Sequence, residues 1–115
     1  MKVKVSELSG SALDWAVAKA HGVNMDRFYN EIVDLGHSVA DIYVPSTNWD
    51  QGGPIIERTG ITVGPSNAFC QEYGKFAASL ENPIVAFGDT PLIAAMRCFV
   101  KSKLGESVEI PDQLC

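Results

Sequence analysis

A chain of 115 residues with 46% hydrophobic and 20% charged residues is long enough for one domain with its own core, needing no disulfide or metal support. No run approaches the eighteen apolar residues of a membrane span, and a formal charge of −5 spread along the chain argues against nucleic acid as the partner. Cys70, Cys98 and Cys115 form no CxxC pair, which suits reduced thiols in a cytoplasm.

Residues 2–5 alternate polar and apolar, as a half-buried strand does. Their apolar stretch is too short for a signal peptide and is broken by Lys4. A helix starts at Ser9 or Ser11, runs to about Ala20 and stops near Gly22, with Leu13, Ala16, Val17 and Ala20 on one face. Trp15 points almost the opposite way, so its indole needs cover from the following segment or from another subunit. Asn24 can cap a weaker helix in which Phe28, Ile32 and Leu35 align before Gly36. Residues 38–44 read as extended. The stretch 45–53, rich in Ser, Asn and Gly, predicts an irregular loop, after which Pro54 opens a short helix to about Thr59, closed by Gly60.

Strands follow at 61–63, 73–80 and 84–87, with turns at 64–67 and 81–83, and the last two runs are close enough to pair as a hairpin. The clearest element is the helix from Pro91 to Leu104. Thr90 caps it, Pro91 takes its first position, Lys101 and Lys103 occupy its last turn and Gly105 stops it. Leu92, Ala95, Met96, Phe99 and Val100 form its apolar stripe, with Arg97 on the shoulder. Residues 107–111 read as an extended tail lying over the body. The expected architecture is α+β: a small antiparallel sheet packed with helices, a single-domain α/β sandwich over residues 1–115.

Catalytic signals are weak. His21 and His37 have no Cys, Asp or Glu at metal spacing, no nucleophile or phosphate-loop motif is present, and no metal or cofactor is expected. A binding site is better motivated. Gly53-Pro54 and the run from Gly88 to Pro91 each begin a helix, whose free N–H groups suit an anion, with Thr90 at the second of these starts. Trp49 can stack on a flat ring while Ser46, Thr47, Asn48 and Gln51 read its edges, and Arg58 and Arg97 can grip phosphate. These residues predict a non-enzymatic binder of a small anionic, nucleotide-like molecule, in a pocket between the 46–51 loop and a helix start. A homodimer or higher oligomer through the Trp15 face is expected, and the alternative function is a protein-interaction module acting on a host or phage protein, with Trp15 as its anchor.

Three blocks carry a resemblance. Pro45-Ser46-Thr47-Asn48-Trp49 with Gln51-Gly52-Gly53-Pro54-Ile55-Ile56-Glu57-Arg58, the run from Gly88 to Val100, and the opening Leu8-Ser9-Gly10 with Ala12-Leu13-Asp14-Trp15-Ala16-Val17-Ala18 together resemble the NinX-like proteins of tailed phages and prophages. The likeness spans nearly the whole chain and is weakest over 24–42 and 66–81. The Trp block followed by the Arg97-Cys98 helix is also similar to small phage proteins with an α-β-α sandwich. The resemblance implies a phage origin and a host bacterial cytoplasm as the setting, where retention of a host defence signal would be a coherent use. It implies no particular substrate.

Overall fold

The computed structural model of the chain describes residues 1–22, 44–66, 74–80 and 84–110. The expected helix over 24–35, the extended run 38–43, the turn 81–83, and Tyr73, His37, Cys70 and Cys115 lie outside the described residues.

The elements in chain order are β1 (Lys2–Lys4), a 3-10 turn (Val5–Glu7), α1 (Gly10–Ala20), α2 (Trp49–Thr59), β2 (Thr62–Pro65), β3 (Phe76–Leu80), β4 (Ile84–Gly88), α3 (Pro91–Leu104) and β5 (Ser107–Glu109). Strands β2, β3 and β4 form an antiparallel sheet in that order, with Ala78 paired to Val63 on one side and Ala86 on the other. The period-two rule then holds across it: Val63, Phe76, Ala78, Leu80, Ile84 and Ala86 turn to the core, while Val85 is exposed. A second sheet joins the chain's two ends, β1 against β5, with Val3 opposite Val108. The extended tail is therefore a paired strand. Its sequence shows the strand but not the partner, which lies more than a hundred residues away.

Helix α3 is the central element. It packs against all three strands of the larger sheet, and against α1, α2, the 3-10 turn and β5. Thr90 Oγ1 accepts from the Ile93 N–H at 3.1 Å, and Pro91 opens the helix. The stripe Leu92, Ala95, Met96, Phe99 and Val100 is buried, as its spacing predicts, and so are Ala94 and Cys98, because neighbours cover α3 on more than one side. Burial pushes the Cys98 thiol up to about 11, which keeps it protonated, and its Sγ faces the Ile84 carbonyl at 3.7 Å. The described elements make an α+β fold.

Two expectations change. Trp15 is 8% exposed and belongs to the core cluster, so its cover comes from within the chain. The neighbouring Asp14, 3% exposed, accepts the Ser46 N–H at 2.9 Å, which lays the fully buried Pro45 and Ser46 against this second face of α1. An uncovered Trp15 no longer argues for a seam between subunits.

The second change concerns residues 49–53, which are helical. Asn48 is the N-cap, its side chain accepting from the Asp50 N–H at 2.9 Å, and Asp50 adds a negative charge to the first turn. Pro54 sits inside α2, near enough to its start that the missing N–H removes one early bond. Gly52 and Gly53 resemble a turn in sequence, but Gly52 is bare for packing: a Cβ there would run into the Pro45 carbonyl and lie 2.6 Å from Leu92 Cδ2. Asn48 followed by Asp50 was the signal that placed the helix start earlier. Gly60 ends α2 in the left-handed region at φ 75°.

Candidate functional site

The eight residues selected from sequence fall into three groups. The first holds its own segment together. Ser46 is buried on Asp14, Asn48 caps α2, and Gln51 Oε1 accepts the Val44 N–H at 2.6 Å. Thr47 Oγ1 donates weakly to the Val44 carbonyl at 3.4 Å, and Trp49 stands 57% exposed on the first turn of α2. Burial raises the Asp14 carboxyl above its ordinary range, and the Ser46 N–H pulls it partly back. The Ser46 hydroxyl lies beside that carboxyl and helps it stay ionised, yet among the described residues it reaches hydrogen-bonding geometry with no polar atom. The Trp15 Nε1 is likewise buried without a partner among the described residues.

The second group is Thr90, which caps α3, and Arg97. The guanidinium of Arg97 donates from Nε to the Leu8 carbonyl and from Nη1 to the Phe87 carbonyl, both at 2.8 Å. One turn on, Lys101 Nζ donates to the Val85 carbonyl at 3.3 Å. Among the described residues β4 is an edge of its sheet, and the carbonyls of Val85 and Phe87, two residues apart, leave it on one side. Two cations of α3 thus blunt an open strand edge that would otherwise invite pairing with another chain. Partial burial pulls the Arg97 guanidinium below its ordinary value, with Asp89 opposing. It remains a cation bonded to carbonyls.

Arg58 stands alone in the third group. It lies in the last turn of α2 and lines a cleft of about 810 Å³, into which three helix ends converge. Helix α1 brings Ala20 and His21, α2 brings Arg58, Thr59 and Gly60, and α3 brings Phe99, Ser102 and Lys103, with Leu80 and Ile84 from the sheet. His21 stacks on Phe99 at 4.8 Å with the rings tilted by 43°. Partial burial of the imidazole, then the charges of Arg58 and Lys103, hold His21 below its ordinary pKa. Thr59 and Ser102 donate their hydroxyls to Ile55 and Phe99 carbonyls at 2.6 Å, leaving their oxygens to accept. Among the described residues, neither Arg58 nor Lys103 forms an ion pair, and no carboxylate lines the cleft.

A second cleft, of about 600 Å³, lies between residues 4–6 and β4. There Lys101 already bonds the Val85 carbonyl, and Glu106 offsets the charge of Lys4. In sequence, His21 and Lys103 look like ordinary basic residues at helix ends; the convergence of three ends distinguishes them.

Among the described residues, no group of three or more His, Cys, Asp or Glu side chains is placed to hold a metal ion, and no helix is long and apolar enough to cross a membrane. No curated protein matches the chain. The model of the family described as bacteriophage P22 NinX matches residues 4–103, a span that takes in α1, α2, the three-stranded sheet and nearly all of α3, and the chain belongs to that phage family.

Proposed function

We propose that this protein is a phage accessory protein that retains, without transforming, a small phosphate-bearing molecule of nucleotide type in the cleft where its three described helices end. One observation carries the reading: basic side chains from three helix ends line one cavity, whose described lining has no carboxylate. The helix dipole explains a single cation at a carbonyl end, at about 0.3–1 kcal/mol. It does not explain two cations and an imidazole, each from a different helix end, facing the same space.

The remaining chemistry fits. The volume lies within the range of about 300–1,000 Å³ common to small-molecule sites. Arg58 offers a planar fork to a phosphate, and Lys103 a point charge. The exposed imidazole of His21, backed by Phe99, gives a base a flat surface to stack on, with Leu80 and Ile84 as apolar neighbours. For a phage product in the host bacterial cytoplasm, holding back a host signalling nucleotide is a fitting use, supported by the setting.

Calorimetry against mono-, di- and cyclic nucleotides tests the reading, with chromatography of the recovered ligand. Phosphate-bearing members should release heat and return unchanged, and Arg58→Ala should weaken them about tenfold or more. Absence of heat across the panel ends the proposal, and conversion of the ligand makes the protein an enzyme. One observation favours a second reading: Trp49, an indole 57% exposed on α2, is the kind of side chain that anchors protein interfaces, including one between copies of this chain. Light scattering of wild type and Trp49→Ala at rising concentration distinguishes that seam from a monomeric binder.

A further inference from the structure

The cleft holds two permanent cations, Arg58 and Lys103, and one side chain that can change its charge, His21. Three carbonyl ends meet there, each equivalent to up to about half a negative charge. A neutral imidazole then leaves on the order of half a positive charge facing the cavity, and an imidazolium on the order of one and a half. Only the second approaches what a dianion requires.

The surroundings of His21 favour the change. Arg58 from α2 and Lys103 from α3 face it, Phe99 backs its ring, and Lys19 of its own helix lies over Trp15, 5.3 Å from the ring centre. With those cations unpaired, the imidazole is neutral near pH 7. An anion held between them and the ring screens their repulsion and adds an attraction for the proton.

We infer that the cleft takes a terminal dianion, such as a phosphomonoester, and that His21 completes the site by accepting a proton from solvent as the dianion enters. This rests on the cleft being the binding site. No bond other than the imidazole N–H forms, and the ligand leaves intact when the proton is lost. A cyclic phosphodiester, with one charge, draws the proton less strongly. Binding therefore tightens as pH falls.

Sulfate is the probe, because it stays dianionic from about pH 5 to about pH 8, across the range in which histidine titrates. Methyl sulfate serves as its monoanionic counterpart, and chloride at matched ionic strength as the control. The chain has two histidines, so imidazole NMR resolves the titration and His21→Gln assigns the signal. Sulfate should raise the His21 midpoint by about one unit, with about tenfold tighter binding at the acid limit than at the basic limit. Methyl sulfate should move the midpoint less, and His21→Gln should bind sulfate with no pH dependence. Sulfate binding with an unmoved His21 midpoint, or equal binding of the two anions, overturns the inference and leaves the anion site standing. A sulfate response no larger than that of chloride removes the site and the inference together.

Discussion

The two ends of α2 lie about 15 Å apart and use polar side chains in opposite ways. At the N-terminal end, Ser46, Asn48 and Gln51 bond backbone and carboxyl partners within the chain, and the indole of Trp49 is left facing outward. At the C-terminal end, Gly60 closes the helix, and the Arg58 guanidinium has no ion-pair partner among the described residues. A dense polar block in a sequence thus marks a place where backbone groups need partners as readily as a place where a ligand sits. The useful distinction is whether a donor remains after the chain has satisfied itself.

Phe99 is where the core and the C-terminal end meet, and there the largest effect is expected. Phe99 is 3% exposed on the core side of α3 and also supports His21, so Phe99→Ala should lower stability by about 3–5 kcal/mol in a denaturant melt and weaken anion binding in whatever folds. A loss near zero would place the core elsewhere.

The two arginines give the next contrast. Arg97→Ala leaves the Leu8 and Phe87 carbonyls without their charged donor and should cost about 2–4 kcal/mol. Arg58→Ala should leave stability within about 0.5 kcal/mol and act on binding alone. If the melts show the reverse, the assignment of one arginine to structure and the other to the site is inverted.

Those two residues show what was legible in the sequence. The α3 helix was readable end to end, because its cap, stripe and stop are local signals, and so were β4 and the antiparallel pairing of β3 with it, although β3 begins at Phe76 rather than at 73. The site was much less so. Arg58 and Arg97 look equivalent as isolated cations, and what separates them is a strand edge and a loop carbonyl that only the fold brings beside Arg97. Whether Trp15 is covered by its own chain or by another subunit was likewise open in the sequence, because no local signal places the distant Pro45-Ser46 segment beside Asp14 on that side of α1. Gly52 read as a turn because close approach to Leu92 leaves no local mark.

Asp14 tests how firmly the N-terminal end is tied. Asp14→Ala orphans the buried Ser46 N–H and should cost about 1–3 kcal/mol. Asp14→Asn keeps an oxygen to accept that N–H and removes a buried charge, so it should be neutral or slightly stabilising at pH 7. Because the folded carboxyl holds its proton above the ordinary value of 3.8, the folded state binds more protons than the unfolded one just above that pH. The contribution of Asp14 is therefore most favourable below 3.8 and declines as pH rises through the folded value. Melts of wild type against Asp14→Asn across that window should show the difference in stability between the two changing with pH, as the Asp14 part of the slope is lost in the variant.

The smallest expected effect decides between the two ends. Trp49 is 57% exposed, so Trp49→Ala removes little buried area and should shift stability by no more than about 0.5 kcal/mol. Its effect on binding depends on where the ligand sits. A base stacked on that indole would lose about 1–3 kcal/mol of affinity on truncation, a fall of roughly tenfold to a hundredfold. A ligand held by Arg58, Lys103 and His21 lies one helix length away and should be indifferent to it. Calorimetry on Trp49→Ala and Arg58→Ala with the same nucleotide should show the second losing affinity and the first keeping it. The opposite pattern would move the ligand to the N-terminal end of α2 and make Trp49 its platform, whereas equal losses would require a ligand long enough to span the helix.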